Sequence, residues 1–479
     1  MINNKINRFA LLILSFFLIL IFSVRFFNVF FNNEIDSFFT SGYEEESLLI
    51  LWYNYLNYDI YTNHLEYPYR WAIYNWLFYD FYSYTLKAIN LVLDIDHKSS
   101  INFFRFITFI FSLIGFIFFY KSLKIIRNEN NLWLLFLSIL SIYGLSTGWW
   151  NLTTRPDIPA LTLEILGIYF FLKNINNLSI FKITILSIIL YLAWSFKQTA
   201  LISFFSILVY LGIKKEYSKC FYLVSVFFIF IFLTIYFQND LYFQSIYMLN
   251  TNNLLYDIDI NRIFRVLKIF TIKNTFLILM SSYLFLNFKL LNFKDNIFYF
   301  TGFLLSLIYF LAVLSNKGTS DNHTFIIIVF LTFIIHKNFD YKNILVYSRF
   351  VFLILIAAQI YISGTVLSGK KGRLTPVKAG NIDDYIICSE NILINPVFVE
   401  KPYYALPWIT KYENPTVKNF NYRFELDANR LKGGGFKSLI NEGFYETLIL
   451  NENSSYINSN YKIKKVCKDV IIYSLKKNP

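Results

Sequence analysis

Apolar and polar positions follow one another along this chain in long blocks. Runs of roughly 17–25 apolar residues, the span of a bilayer core, recur between short polar stretches through the first three quarters of its 479 residues. The first runs from Phe9 to Phe31. Others lie at about 102–120, 132–147, 158–172, 181–196, 199–213, 220–237, 270–287, 297–314, 324–335 and 344–366. The pattern predicts a polytopic α-helical membrane protein with about eleven transmembrane helices. Between the first two runs lies a polar and aromatic loop, roughly 32–100. Its stretch "NHLEYPYRWAIYNWLFYDFY" is too rich in Tyr and Trp for a bilayer centre and predicts a helix lying at the membrane interface. "NRIFRVLKIFTIK" has the spacing of a second interfacial, amphipathic helix.

The blocks stop near residue 366. Within 367–479, "DDYIICSE" and "ETLILNE" alternate like short strands, and "FKSLINEG" reads as a helix ending at Gly443. "YKIKKVCKDVIIYSL" has the form of a closing strand pair. The expected organisation is a membrane domain, 1–366, followed by a small α/β domain, 367–479. Cys388 and Cys467 fall in the first and last strand-like runs. A bridge between them needs Cα atoms within about 7 Å, and a buried free thiol is the alternative.

Composition agrees with the pattern. The chain is 56% hydrophobic and 21% aromatic, with only 16% charged residues; its mean hydropathy is +0.46. The net charge of +13 is scattered over short loops and the tail, with no basic stripe on a soluble module, so nucleic-acid binding is excluded. Five short loops carry most of the lysine and arginine: "YKSLKIIRNENN", "LKNINNLSIFK", "GIKKEYSK", "NFKLLNFKDN" and "HKNFDYKN". With a cytoplasmic N-terminus all five face the cytoplasm, as the positive-inside rule asks. The 32–100 loop and the tail are then extracytoplasmic. The first apolar segment is too long for a signal-peptide core and lacks a small-residue cleavage site, so it is expected to stay as a helix.

The polar residues that stand at the outer ends of spans are few. They are Glu44, Glu45 and Glu46 in "SGYEEESLLIL", Arg155 and Asp157 in "TTRPDIPA", Lys197 in "FKQT", and His323 in "SDNH". Carboxylates and cations would meet at one depth, where ionisable groups are costly and usually functional. The set suits transfer of a sugar from a lipid phosphate. A carboxylate takes the proton of an attacking hydroxyl, and Arg or Lys stabilises the departing phosphate. Each motif also has a plain structural reading. Acidic residues favour helix starts, Arg155-Pro156-Asp157 suits a helix entry, Lys197 can snorkel, and Trp149 and Trp150 suit interface anchors. Glu164, deeper in a span, suits an inter-helix polar contact. No Cys or His cluster has metal-ligand spacing, and neither a metal nor another cofactor is predicted.

The layout "GYEEESLLILWYNYLNYDIY…YPYRW" resembles the GT-C superfamily of integral membrane glycosyltransferases, which includes protein O-mannosyltransferases and the lipid A aminoarabinose transferase. In that family an acidic pair opens the first outer loop, followed by a loop tyrosine and a proline leading into an aromatic interfacial helix. Glu44 and Glu45 match the pair, Tyr61 the tyrosine and Pro68 the proline. "TTRPDIPALTLEILGIYFFLK", "WSFKQTALISFF" and "NKGTSDNHTFIII" are also similar to segments of bacterial members. Glu44 departs from the usual Asp, and Glu34 with Asp36 in "NEID" is a rival acidic site. The resemblance implies an inverting glycosyltransferase with a polyprenyl-phosphate sugar donor and a lipid, glycan or protein acceptor. Glu45 or Glu44 would be the base. Arg155, Asp157, Lys197, His323, Tyr67 and Arg70 would bind substrate. The competing readings are a lipid-linked oligosaccharide flippase or exporter, which needs charges through the membrane depth, and a polysaccharide polymerase.

Overall fold

In the computed structural model the apolar runs lie largely on helix, but the 132–147 run leaves helix after Ile142 and the 270–287 run is broken at Asn274. The structure describes residues 2–31, 37–38, 43–62, 72–95, 97–129, 131–248, 260–286, 293–314, 321–339, 346–368, 377–378, 403–405, 441–442, 447–451, 460–467 and 470–476. The helices are α1 (Ile2–Phe30), α2 (Tyr43–Tyr55), α3 (Trp76–Asn90), α4 (His97–Ile126), α5 (Asn131–Ile142), α6 (Asp157–Asn174), α7 (Ile180–Phe196), α8 (Ile202–Ile213) and α9 (Tyr217–Phe237). They continue with α10 (Asp240–Phe243), α11 (Ile260–Lys273), α12 (Thr275–Leu286), α13 (Phe293–Val313), α14 (Phe325–Asn338) and α15 (Val346–Leu367). Among the described residues, four helices are long and apolar enough to cross a membrane alone, or up to five with the bent α11–α12 pair counted as one. Shorter apolar helices such as α5, α7 and α8 fill the bundle between them.

Position in the bundle follows from how apolar each helix is around its circumference. From Phe325 to His336 every residue of α14 is buried. A helix apolar all round belongs inside, and α14 is the bundle's centre, packed on α4, α5, α12 and α13. By contrast, α9 exposes Phe221, Ile229, Phe232 and Phe237. Such a surface would drive aggregation in water; in a multi-pass membrane protein it faces lipid. Helices α4 and α6 approach closely where Gly115 faces Thr162, and a Cβ there would lie 2.8 Å from Thr162 Oγ1. Thr162 donates to the Phe111 carbonyl at 2.9 Å, which fixes α6 and the site at its first turn.

The "NRIFRVLKIFTIK" segment forms α11, and the chain breaks by 91° before α12. The break is held by side chains. Asn274 donates to Ser146 Oγ at 2.7 Å and to the Phe270 carbonyl at 2.9 Å. Gln359 accepts from Phe276 N at 3.2 Å and donates to the Lys273 carbonyl at 3.3 Å. Backbone groups orphaned by a helix break at membrane depth need such partners.

The described part of the tail is strand. β1 (Ser37–Phe38), from the first outer loop, pairs antiparallel with β2 (Val377–Lys378). A four-stranded sheet runs β3 (Tyr403–Ala405), β4 (Thr447–Asn451), β6 (Val470–Leu475), β5 (Tyr461–Cys467). β4 is the "ETLILNE" strand, parallel to β3, and β5 and β6 are the expected antiparallel closing pair. "DDYIICSE" with Cys388, and Gly443, lie outside the described residues, and with them the choice between a Cys388–Cys467 bridge and a buried free thiol.

Candidate functional site

The segment from Tyr143 to Pro156, between α5 and α6, is non-α-helical backbone in the interior of the bundle, with one 3-10 turn at Trp150–Leu152. Its polar groups are met by its own short side chains. Thr147 donates to the Ser141 carbonyl at 2.8 Å, Asn151 to Ile142 at 2.7 Å and Thr153 to Trp150 at 2.9 Å. Non-helical backbone at such depth survives only when satisfied this way. The segment delivers Arg155 into the protein, and Pro156 then starts α6 with Asp157 in its first turn. A carboxylate is favoured there by the helix dipole.

Arg155, Asp157 and Lys197 form one buried cluster. Lys197 ends α7 and its ammonium donates to Asp157 Oδ1 at 2.5 Å. Asn322 donates to the same oxygen at 2.7 Å. Arg155 Nε lies 3.2 Å from Asp157 Oδ2, within ion-pair distance. The Arg155 guanidinium donates to the Tyr74 hydroxyl, and it stands 4.9 Å from the Trp150 ring and 5.6 Å from the Tyr74 ring. Two cations share the Asp157 carboxylate, so these three residues by themselves carry one net positive charge, with the Glu164 carboxyl lining the cavity beside them. An anion with oxygen acceptors is the ligand such a cluster attracts. Trp150, expected as an interface anchor, is instead buried against Arg155, because a desolvated guanidinium is favoured over an aromatic face.

Beside the cluster is a cavity of about 40 Å³, lined in part by Asp157, Glu164, Lys197, Thr199, Tyr309 and His323. That is room for a few waters. The Tyr309 hydroxyl and His323 Nδ1 are 2.9 Å apart. His323 lies between α13 and α14; burial, with the Lys197 charge adding to it, lowers its pKa to about 3, so the ring is neutral at physiological pH. Glu164 accepts from Ser203 N at 3.0 Å in the first turn of α8. This is the expected inter-helix polar contact, made to a helix N-terminus.

Glu44 is in the first turn of α2 and fully buried. Its Oε1 accepts from Arg105 Nε at 2.8 Å and its Oε2 from Arg105 Nη2 at 3.1 Å. Thr154 N donates to Oε1 at 2.9 Å. Both oxygens are therefore engaged, and the carboxylate acts in this arrangement as the counter-charge of Arg105. Glu45 follows in the same turn of α2; its side chain lies outside the described residues, as do Tyr67, Arg70, Pro68, Glu34 and Asp36. Tyr61 is buried; it donates to the Tyr74 carbonyl at 3.0 Å and accepts no charge, since burial holds its pKa well above the usual value. Asn75 extends the same scaffold, donating to the Trp194 carbonyl at 2.5 Å and accepting from Tyr242 at 2.8 Å.

The structure thus brings Arg155, Asp157, Lys197 and His323 together, from three places in the chain. Sequence reasoning missed Arg105, Asn322 and Tyr74. Arg105 carried a signal: an arginine inside an apolar run needs a partner, and an acidic triplet was at hand. Among the described residues no three His, Cys, Asp or Glu side chains gather as a metal-ligand set.

No family model matches the sequence, and no curated protein matches it. The fold is nevertheless that of known structures. The ArnT structure from Cupriavidus metallidurans, determined bound to undecaprenyl phosphate, superposes with a TM-score of 0.59 at 8% identity, over 96% of this chain and 97% of that one. The oligosaccharyltransferase of Archaeoglobus fulgidus, in the apo form, superposes with a TM-score of 0.54 at 11% identity, over 91% of this chain and 69% of that one. The chain therefore shares the fold of these two structures along nearly its full length.

Proposed function

We propose that this protein is an inverting membrane glycosyltransferase that moves a sugar from a polyprenyl-phosphate donor to a hydroxyl acceptor at the outer face of a bacterial inner membrane. The observation that carries the reading is the buried Arg155–Asp157–Lys197 cluster, with its one net positive charge, in a chain that shares the fold of the ArnT structure along nearly its full length. The lipid phosphate is the anion that Arg155 and Lys197 would hold. The ArnT neighbour, whose structure contains undecaprenyl phosphate, makes a ligand of that class the natural choice.

In the reaction the acceptor oxygen attacks the anomeric carbon from the face opposite the phosphate. The new C–O bond forms as the bond from carbon to phosphate oxygen breaks. The phosphate leaves with the electron pair, and charge builds on its oxygens where Arg155 and Lys197 stabilise it. The acceptor proton goes to a carboxylate as general base. With Glu44 committed to Arg105, Glu45 takes that role, and the 1–366 domain carries the chemistry while the tail shapes the acceptor side. Mass spectrometry of the cell-envelope glycolipids and glycans of a deletion strain tests the proposal. One sugar should be missing, restored by the wild-type gene and not by an Arg155→Ala, Lys197→Ala double variant. An unchanged envelope in the deletion strain would remove the transferase reading.

A further inference from the structure

The first outer loop and the Arg155 segment are far apart in sequence and meet at one carboxylate. Glu44 and Arg105 have 0% and 1% side-chain exposure. The guanidinium meets the carboxylate with two nearly parallel hydrogen bonds, the fork geometry that fixes orientation as well as position. A third donor reaches the same carboxylate, the backbone N–H of Thr154. Thr154 is the residue immediately before Arg155, whose own N–H is turned back to the Thr153 carbonyl at 2.9 Å. The helix start of α2, the body of α4 and the approach to Arg155 are therefore tied at one point.

We propose that Glu44 and Arg105 are positioning residues that fix Arg155 for the lipid phosphate, and that Glu44 is not the base. The inference rests on the proposed reading of Arg155 as a phosphate-binding residue. Its physical basis is geometric. The carboxylate anchors the peptide at Thr154, and the Arg155 side chain leaves the backbone one residue later, its guanidinium reaching 4.9 Å from the Trp150 ring and 5.6 Å from the Tyr74 ring. A catalytic or binding group must be held to about 0.5 Å, and its support comes from neighbours that do not themselves touch the ligand. Loss of the carboxylate's charge removes the ion that meets Arg105 with two hydrogen bonds, and weakens at one point the tie between the N-terminus of α2 and the segment before Arg155.

The pair allows a test that separates positioning from proton transfer. A broken buried ion pair is costly, whereas replacing both members with neutral groups is often tolerated. The full-length protein in lipid nanodiscs is compared with Glu44→Gln, Arg105→Gln and the double variant. Hydrogen–deuterium exchange is followed in residues 147–156, binding in titrations with undecaprenyl phosphate, and transfer as kcat and KM. Each single variant should lose exchange protection around Thr154 and bind the lipid phosphate about tenfold or more weakly, the scale of one charge-assisted contact. The double variant should regain a large part of both, and of kcat, because the buried charge of Arg105 is removed together with that of Glu44. A base cannot be rescued by removing Arg105. Normal protection and normal affinity in Glu44→Gln would overturn the proposal. So would a double variant that binds like wild type and is as inactive as Glu44→Gln. Failure of the wild-type protein to bind undecaprenyl phosphate would instead strike the proposed function. The exchange data would then decide the role of the Glu44–Arg105 tie by themselves.

Discussion

Replacing Lys197 by methionine keeps the aliphatic stem and removes the ammonium. The Lys197 side chain is 11% exposed and that of Asp157 is 1% exposed. Asp157 would not be abandoned, because Asn322 still donates to it at 2.7 Å and Arg155 Nε remains 3.2 Å away. The stability cost should therefore be near that of one charge-assisted hydrogen bond, about 1.5–3 kcal/mol. It should stay below the roughly 3–5 kcal/mol of a buried charge left wholly unpaired. If Lys197 also contacts the lipid phosphate, binding loses a contact of the same class, so affinity should fall about 10- to 150-fold. Asp157→Asn separates the two roles by sign. It leaves two cations facing each other, so it should cost more stability than Lys197→Met. It also raises the positive charge of the cluster, so the lipid phosphate should bind at least as tightly as in wild type. Thermal unfolding and titration with undecaprenyl phosphate, both in nanodiscs, measure the two quantities separately. A Lys197→Met protein that melts lower yet binds with wild-type affinity would refute the reasoning: Lys197 would then serve only as the counter-ion of Asp157.

Glu45→Gln should lower kcat by about 10²–10⁴-fold, the range of a lost general base, with normal expression; undiminished transfer moves the base to Asp36. Burial keeps His323 neutral, with a pKa of about 3. Its folded value lies below its unfolded one, so any stability it contributes is present at higher pH and declines as pH falls below about 6.5 toward 3. Between about pH 5 and 8 the pH–rate profile of His323→Gln should keep the wild-type shape, and a lost limb would show that His323 titrates in the reaction. Truncation after Leu367 removes β2, the partner of β1 in the first outer loop, so transfer should drop while lipid-phosphate binding survives; full transfer would exclude the tail from acceptor handling. A reporter active only outside the cytoplasm should work when fused after Pro479 and be silent after Lys215, and the reverse would invert the orientation.

Hydrophobic blocks made the bundle legible because a membrane helix buries its own backbone and needs no partner to announce itself. Residues 324–335 were readable as an apolar helix for that reason, and α14 is there, though at 14 residues it is not one of the helices long enough to cross a membrane alone. The gathering of Arg155, Asp157, Lys197 and His323 was readable because costly groups at one depth find each other. What could not be read was which acid meets which base. Glu44 and Arg105 are 61 positions apart, and nothing local in "YEEES" tells the first glutamate from the second. Glu164 is satisfied by the N–H of Ser203, a group every residue but proline carries, so no side-chain pattern marks the contact. Trp150 reads as an anchor in any window of sequence, and only the approach of Arg155 makes it a lid on a cation.

The sharing of Asp157 between Arg155 and Lys197 bears on how a catalytic cycle would end. A polyprenyl-phosphate sugar is a phosphodiester with one negative charge, opposite in sign to the net charge of Arg155, Asp157 and Lys197 taken together. Once the sugar departs, the lipid phosphate is a monoester, with a charge nearer −1.5 to −2 at neutral pH. The cluster would then hold its spent carrier more firmly than its fresh donor. Turnover would be paced by the exit of the carrier, visible as inhibition by free lipid phosphate at concentrations below those that saturate the donor. The carboxylate between the two cations would set that balance, since without it the carrier would leave more slowly still.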